Sequence, residues 1–208
     1  MTLRLEAIIL SPNEFSISWN DKGSGSSFNV QTWNPNPPKG YFSVGSCAES
    51  SAQSWIYGSS PRETVVVLKD VSDSGDIALK NPKDFSLVWK DSGSGAEKDG
   101  SFWRPIAPES YVALGDVAVL GYGKPSLNTI MCVHTNLVLQ GRCGPEIWDD
   151  KSSGAQKDVS LWRTAIQPQT SLYYLPVGTF ITSGSHSPPN DSLFKILKIS
   201  SSPVIFLK

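Results

Sequence analysis

The chain has 208 residues, with 18 Lys plus Arg against 19 Asp plus Glu and a formal net charge of −1, so no global field draws it to nucleic acid or to an anionic bilayer. The length is ample for a buried core, and no apolar run approaches the roughly 20 residues that span a membrane as a helix. Cys47, Cys132 and Cys143 are odd in number and lack CxxC spacing, which points to free thiols in a reducing compartment rather than to a disulfide framework or a cysteine zinc site.

The opening "MTLRLEAIILSPNEF" has a short apolar run without a small-residue cleavage site and reads as a strand rather than a leader. The expectation is a chain that is cytoplasmic or released without a signal peptide. "FSISW" from Phe15 and "FSLVW" from Phe85 alternate apolar and polar residues with period 2 and predict half-buried strands. "TVVVLK", "TIMCVH" and "SLFKIL" follow Pro61, Pro125 and Pro189, which are evenly spaced, and supply later strands. Helical periodicity is nearly absent, while 17 Gly and 15 Pro suit short strands joined by turns. The fold class expected is all-β.

Self-similarity is the most informative property of the chain. Trp19, Trp89 and Trp148 each precede a second tryptophan, Trp33, Trp103 and Trp162, by the same interval. Between them stand Asp21, Asp91 and Asp150, then Ser24, Ser94 and Ser153, then Gly25, Gly95 and Gly154, then Asn29, Asp99 and Asp158 at matching offsets. Tyr41-x-x-Val44-Gly45, Tyr111-x-x-Leu114-Gly115 and Tyr174-x-x-Val177-Gly178 repeat a second signature, the third copy displaced by an insertion. The expectation is one domain of three related units, covering approximately 1–70, 71–136 and 137–208. The glycines lie near the midpoint of each tryptophan pair, so hairpin tips there bring the two indole-bearing strands side by side and let the indoles pack together. Burying one indole stabilises by roughly 4–6 kcal/mol as an upper value, against about 1 kcal/mol for a turn hydrogen bond, so the tryptophans are read as core and the Asp-Ser-Gly loops as geometry.

Catalytic chemistry finds little support. "GSGAEK" and "GYGKPS" miss the last glycine of GxGxxG, no GxSxG elbow surrounds Ser94, and the histidines are limited to His134 and His186. The carboxylates are more informative. Asp91 with Asp99, and Asp150 with Asp158, flank a loop and offer hard oxygen ligands that suit Ca²⁺; alternatively each Asp closes its own turn or pairs with Lys98, Arg104, Lys157 or Arg163. Trp55 has no counterpart in the other units and lies beside Tyr57 in a polar loop, where the pair either stacks on a sugar, enters a membrane interface or caps the core edge.

The stretch "SFWRPIAPESYVALGDVAVLGYGKPSLNTIMCVHTNLV" carries a family resemblance. Trp103, Arg104, Pro105, Tyr111, Ala113, Leu114, Gly115, Asp116, Lys124, Pro125, Ser126, Cys132 and Val133 match the pattern of vacuolar-protein-sorting-like proteins of fungi and plants. The first unit lacks the Arg and the third lacks the first Pro. The threefold signature is also similar to the β-tripod targeting domains of MACPF-type insecticidal proteins, and more distantly to the β-prism module that binds acidic membranes. The resemblance implies a threefold pseudo-symmetric β-prism or β-tripod and a binding role without catalysis. The expected ligand is a glycan or lipid head group at a membrane surface, engaged multivalently by Asp21, Ser24, Gly25, Asp91, Ser94, Gly95, Asp99, Asp150, Ser153, Gly154 and Asp158, with Trp55 and Tyr57. The alternative is an intracellular trafficking adaptor whose partner is a protein.

Overall fold

The computed structural model describes residues 3–73, 77–167 and 174–198. In chain order its strands are β1 (Leu5–Ile9), β2 (Phe15–Asn20), β3 (Asn29–Pro35), β4 (Cys47–Ser51), β5 (Val66–Asp70), β6 (Leu79–Lys80), β7 (Asp84–Lys90), β8 (Gly100–Ile106), β9 (Tyr111–Val112), β10 (Val117–Leu120), β11 (Cys132–His134), β12 (Val138–Gln140), β13 (Arg142–Asp149), β14 (Ser160–Ala165), β15 (Tyr174–Leu175), β16 (Phe180–Ser183) and β17 (Lys195–Lys198). Three short 3₁₀ turns are the helical segments among the described residues. All-β is therefore the observed class.

The strands form small antiparallel sheets of two kinds. In one kind a long hairpin takes a third strand at its second arm: β2-β3-β4, β7-β8-β10 and β13-β14-β16. In the other a late strand of each segment pairs with earlier ones: β1-β5, extended by the bridge from Phe42 to Leu68, then β6-β11-β9 and β12-β17-β15. Val44, Leu114 and Val177, the apolar residues of the second repeated signature, join Leu5, Leu68, Val133 and Leu197 in one core that draws on all of the smaller sheets. Main-chain bonds tie the segments in cyclic order. Ser46 N–H donates to Asp116 O at 2.9 Å, Asp116 N–H to Phe180 O at 2.9 Å, and Phe180 N–H to Ser46 O at 3.3 Å.

The hairpins share an irregularity that decides where the tryptophans go. Ile17 and Trp19 are two apart and belong on one face of a regular strand. The ladder of β2 on β3 skips a residue between them, as does β7 between Leu87 and Trp89 and β13 between Glu146 and Trp148. Each bulge turns the following indole inward. Ile17 is left 49% exposed while Trp19 is 2% exposed, and Leu87 and Trp89 divide in the same way.

Trp19 packs edge-to-face on Trp89 and Trp148 at ring separations of 5.6 and 6.1 Å, and Phe102 stacks on Trp89 at 5.2 Å. This second shared core corrects one expectation, because the paired tryptophans do not pack together. Trp33 lies apart with Cys47, Ile56 and Val65, and Trp103 with Phe85, Tyr111, Val117 and Ile130. Trp162 is half-buried, with its N–H on Ser160 Oγ at 2.7 Å. The bulge sends the first indole of each pair to the centre and leaves the second in a local cluster. The cysteines are free, as expected, and burial pushes the Cys132 thiol up to about 12, so it is inert as a nucleophile.

Candidate functional site

The loops between the hairpin arms, residues 21–28, 91–99 and 150–159, come together at one end of the molecule, here called the apex. Each makes its turn with Gly25, Gly95 and Gly154 in the left-handed region, at φ 78°, 82° and 73°. Behind each glycine a serine hydroxyl accepts an N–H two residues on: Ser24 from Ser26 at 3.2 Å, Ser94 from Ala96 at 3.1 Å and Ser153 from Ala155 at 3.2 Å.

The leading aspartates point inward. Asp21 Oδ1 accepts Val30 N–H at 2.8 Å, and its Oδ2 accepts the Ser26 hydroxyl. Asp150 Oδ1 accepts Val159 N–H at 2.9 Å, with Ser153 on Oδ2 at 3.4 Å. At the third of these aspartates, Asp91, the residue nine positions on is Gly100, where the other segments have valine. A Cβ on Gly100 would lie 2.2 Å from Trp19 Cδ1, so glycine leaves room for the indole. Asp91 Oδ1 is buried with no hydrogen-bond partner. Burial raises the Asp91 carboxyl above its ordinary range, assisted by the nearby Asp99, Asp21 and Asp150 charges and opposed by Ser94. Burial likewise raises Asp21, against the bonds from Ser26, Val30 and Tyr57.

The tips interlock in cyclic order. Glu97 N–H donates to Lys22 O at 2.7 Å, Gln156 N–H to Ser92 O at 2.9 Å, and Ser27 N–H to Lys151 O at 3.2 Å. The central indoles repeat the cycle underneath: Trp19 Nε1–H donates to Lys98 O at 2.8 Å, Trp89 to Lys157 O at 2.8 Å and Trp148 to Phe28 O at 2.7 Å. These bonds hold Phe28, Lys98 and Lys157 at matching places around the apex, with all three side chains outside and Phe28 55% exposed.

A ring from a later loop seals each tip. The Tyr57 hydroxyl lies 3.0 Å from Asp21 Oδ1 and 2.8 Å from Asn29 Oδ1. The Tyr122 hydroxyl donates to Asp91 O and, at 2.9 Å, to Asp99 Oδ1. His186 Nε2 lies 2.7 Å from Asp150 Oδ1 and 3.9 Å from Asp158 Oδ1. Tyr122 and His186 escaped the sequence reading, although a ring three or four residues before Pro61, Pro125 and Pro189 was a usable signal.

The anticipated site residues thus separate. Gly25, Gly95, Gly154, Asp99 and Asp158 are exposed at the apex, whereas Asp21, Asp91, Asp150, Ser24, Ser94 and Ser153 are buried framework. The alternative ion pairs do not form at the tip aspartates. Arg104 clamps Asp116 at 2.8 Å and Arg163 reaches Glu63 at 2.8 Å, both well away from the loops. Trp55 and Tyr57 take different surroundings, Tyr57 packing at the edge of the Trp33 cluster. Tyr57 is spent on the first tip, while Trp55, 43% exposed, carries the Arg62 guanidinium 4.0 Å over its ring. Among the described residues, Asp150, Asp158 and His186 form the cluster with metal-ligating atoms within 4.8 Å of one another. Beside the apex a groove of about 460 Å³ is lined by Phe28, Ser50, Glu146, Asp149 and Lys151.

The scaffold is an all-β domain of several small sheets that spends its buried polar groups on loop geometry and shows a composite loop face to solvent. The chain belongs to the vacuolar protein sorting-associated protein 62 (Vps62) family, whose model matches residues 57–202. Its structure is similar to the crystal structure of GNIP1Aa from Chromobacterium piscinae, with a TM-score of 0.77 and 31% identity. That match covers 97% of this chain and 38% of GNIP1Aa, so the chain spans well under half the length of this relative. No curated protein matched the chain. Among the described residues no helix is long and apolar enough to cross a membrane.

Proposed function

We propose that the chain is one noncatalytic domain of three repeats, approximately 1–70, 71–136 and 137–208, whose apex binds glycans or lipid head groups at a membrane surface. The observation that carries this reading is the apex itself: three interlocked tips that place Phe28, Lys98 and Lys157 outward at corresponding positions. An aromatic face stacks on a sugar ring or enters the head-group layer, and two ammonium groups suit phosphate or hydroxyl oxygens. The groove beside Phe28 adds carboxylates from Glu146 and Asp149 that can accept sugar hydroxyls. Because the face is one body, weak contacts at separate places on a repetitive surface add through effective concentration. The protein then works peripherally; among the described residues no helix is long and apolar enough to cross a membrane. Similarity to a segment of GNIP1Aa supports a module that acts within, or beside, a larger machine.

The test is to offer the intact chain to a glycan array and to float it with vesicles of zwitterionic and of anionic composition, each with and without Ca²⁺. Binding to one class is expected; indifference to all of them overturns the reading. The family description favours a second reading, a sorting adaptor with a protein partner. An adaptor using the face around Trp55 and Arg62 keeps its partner when Phe28, Lys98 and Lys157 are replaced, and loses it on Trp55→Ala.

A further inference from the structure

The three sealing rings are not chemically equal. Asp21 with Asn29 and Tyr57 offers one carboxylate, an amide and a phenol, and Asp91 with Asp99 and Tyr122 offers two carboxylates and a phenol. Asp150 with Asp158 and His186 alone combines two carboxylates with an imidazole, and their donor atoms already lie within 4.8 Å of one another. We propose that this third tip binds a single divalent transition metal of the zinc class through Asp150 Oδ1, Asp158 Oδ1 and His186 Nε2. The inference goes beyond whatever the apex recognises and does not depend on it.

Ligand chemistry selects the ion. Imidazole suits zinc and its neighbours, whereas Ca²⁺ and Mg²⁺ take oxygen shells of six or more members, and this site offers one nitrogen among three protein ligands. Asp150 is preorganised, being 4% exposed and held by Val159 N–H on Oδ1 and Ser153 on Oδ2. His186 and Asp158 are 27% and 63% exposed, so an ion can enter and keep water at the remaining position. The imidazole and Asp150, now in hydrogen-bond contact at 2.7 Å, have to part to about 3.3 Å, the edge of a tetrahedron with bonds of about 2.0–2.1 Å. Asp158 closes from 3.9 Å to a similar separation. On binding, the metal takes the imidazole lone pair and any proton on Nε2 leaves to solvent.

The repeats provide their own control variants. His186→Tyr installs the ring that the other two tips use and Asp158→Asn the residue of the first tip, so both are expected to fold. Titration calorimetry of the intact chain with ZnCl₂ should show one site, weakened at least about 30-fold in either variant. His134→Ala and Cys143→Ser should leave it unchanged, and CaCl₂ should bind at least about 100-fold more weakly. Retention of full zinc affinity in His186→Tyr, its loss in Cys143→Ser, or a Ca²⁺ preference overturns the assignment. A wild-type chain that takes up no zinc does the same.

Discussion

At Asp91 a buried carboxylate oxygen lacks the hydrogen-bond partner that its counterparts at the other two tips have. Leaving a buried polar group unsatisfied costs about 1–3 kcal/mol. Asp91→Asn is therefore expected to stabilise the protein by about 1 kcal/mol or more at pH 7, read from the urea midpoint. Asp21→Ala strands Val30 N–H and takes one of their acceptors from the Tyr57 and Ser26 hydroxyls, and is expected to cost about 1–3 kcal/mol. The sign of the pH effect follows from the direction of the shift. A carboxyl raised on folding favours the folded state fully below its unfolded pKa, and that contribution is lost as pH rises through the folded value. The advantage of Asp91→Asn over wild type should thus grow from about pH 4 upward; an advantage that grows toward acid contradicts the assignment. Ser152 makes a second residue-scale prediction. It has φ 70° at the place where Gly23 and Gly93 stand, so Ser152→Gly is expected to add roughly 0.5–1 kcal/mol, checked by thermal melting.

Among the elements, the bulged hairpin arm carries the design. Trp19, Trp89 and Trp148 were legible in the sequence as a repeat, and the strands bearing the first two as period-2 stretches. Their side of the sheet was not, because a bulge inserts one backbone residue without a composition of its own: Ser18, Val88 and Ile147 occupy it in turn. The reading of paired indoles assumed regular pleating and failed for that reason. The inward turn of Asp21 and Asp150 escaped for a related one, since their partners are backbone N–H groups nine residues away, which no side-chain pattern reveals. Inserting an Ala between Phe102 and Trp103 gives Val88 a cross-strand partner and restores a regular ladder, in which Trp89, two residues from Leu87, falls on the face where Leu87 is exposed. We expect a loss of more than about 3 kcal/mol and red-shifted indole emission, while an unchanged midpoint and spectrum would show that the bulge does not aim the indole. Gly100→Ala drives a methyl into the Trp19 ring and is expected to cost at least about 2 kcal/mol by the same measurement.

For the whole molecule, cyclic hydrogen bonds at the apex and about Ser46, Asp116 and Phe180 couple segments far apart in sequence, and both shared cores draw on all of them. Unfolding should accordingly be a single transition, with indole emission and far-ultraviolet dichroism coinciding in urea; separate transitions would mean that the segments stand alone. The same coupling makes the apex a rigid surface. Phe28, Lys98 and Lys157 lend only their main-chain carbonyls to the scaffold, so their side chains can be changed without touching it. The decisive measurement is vesicle flotation and glycan-array binding of wild type against the triple variant Phe28→Ser, Lys98→Gln, Lys157→Gln at equal stability. Wild type is predicted to bind and the variant to lose at least about tenfold in apparent affinity, whereas equal binding by the two proteins would contradict recognition through the apex.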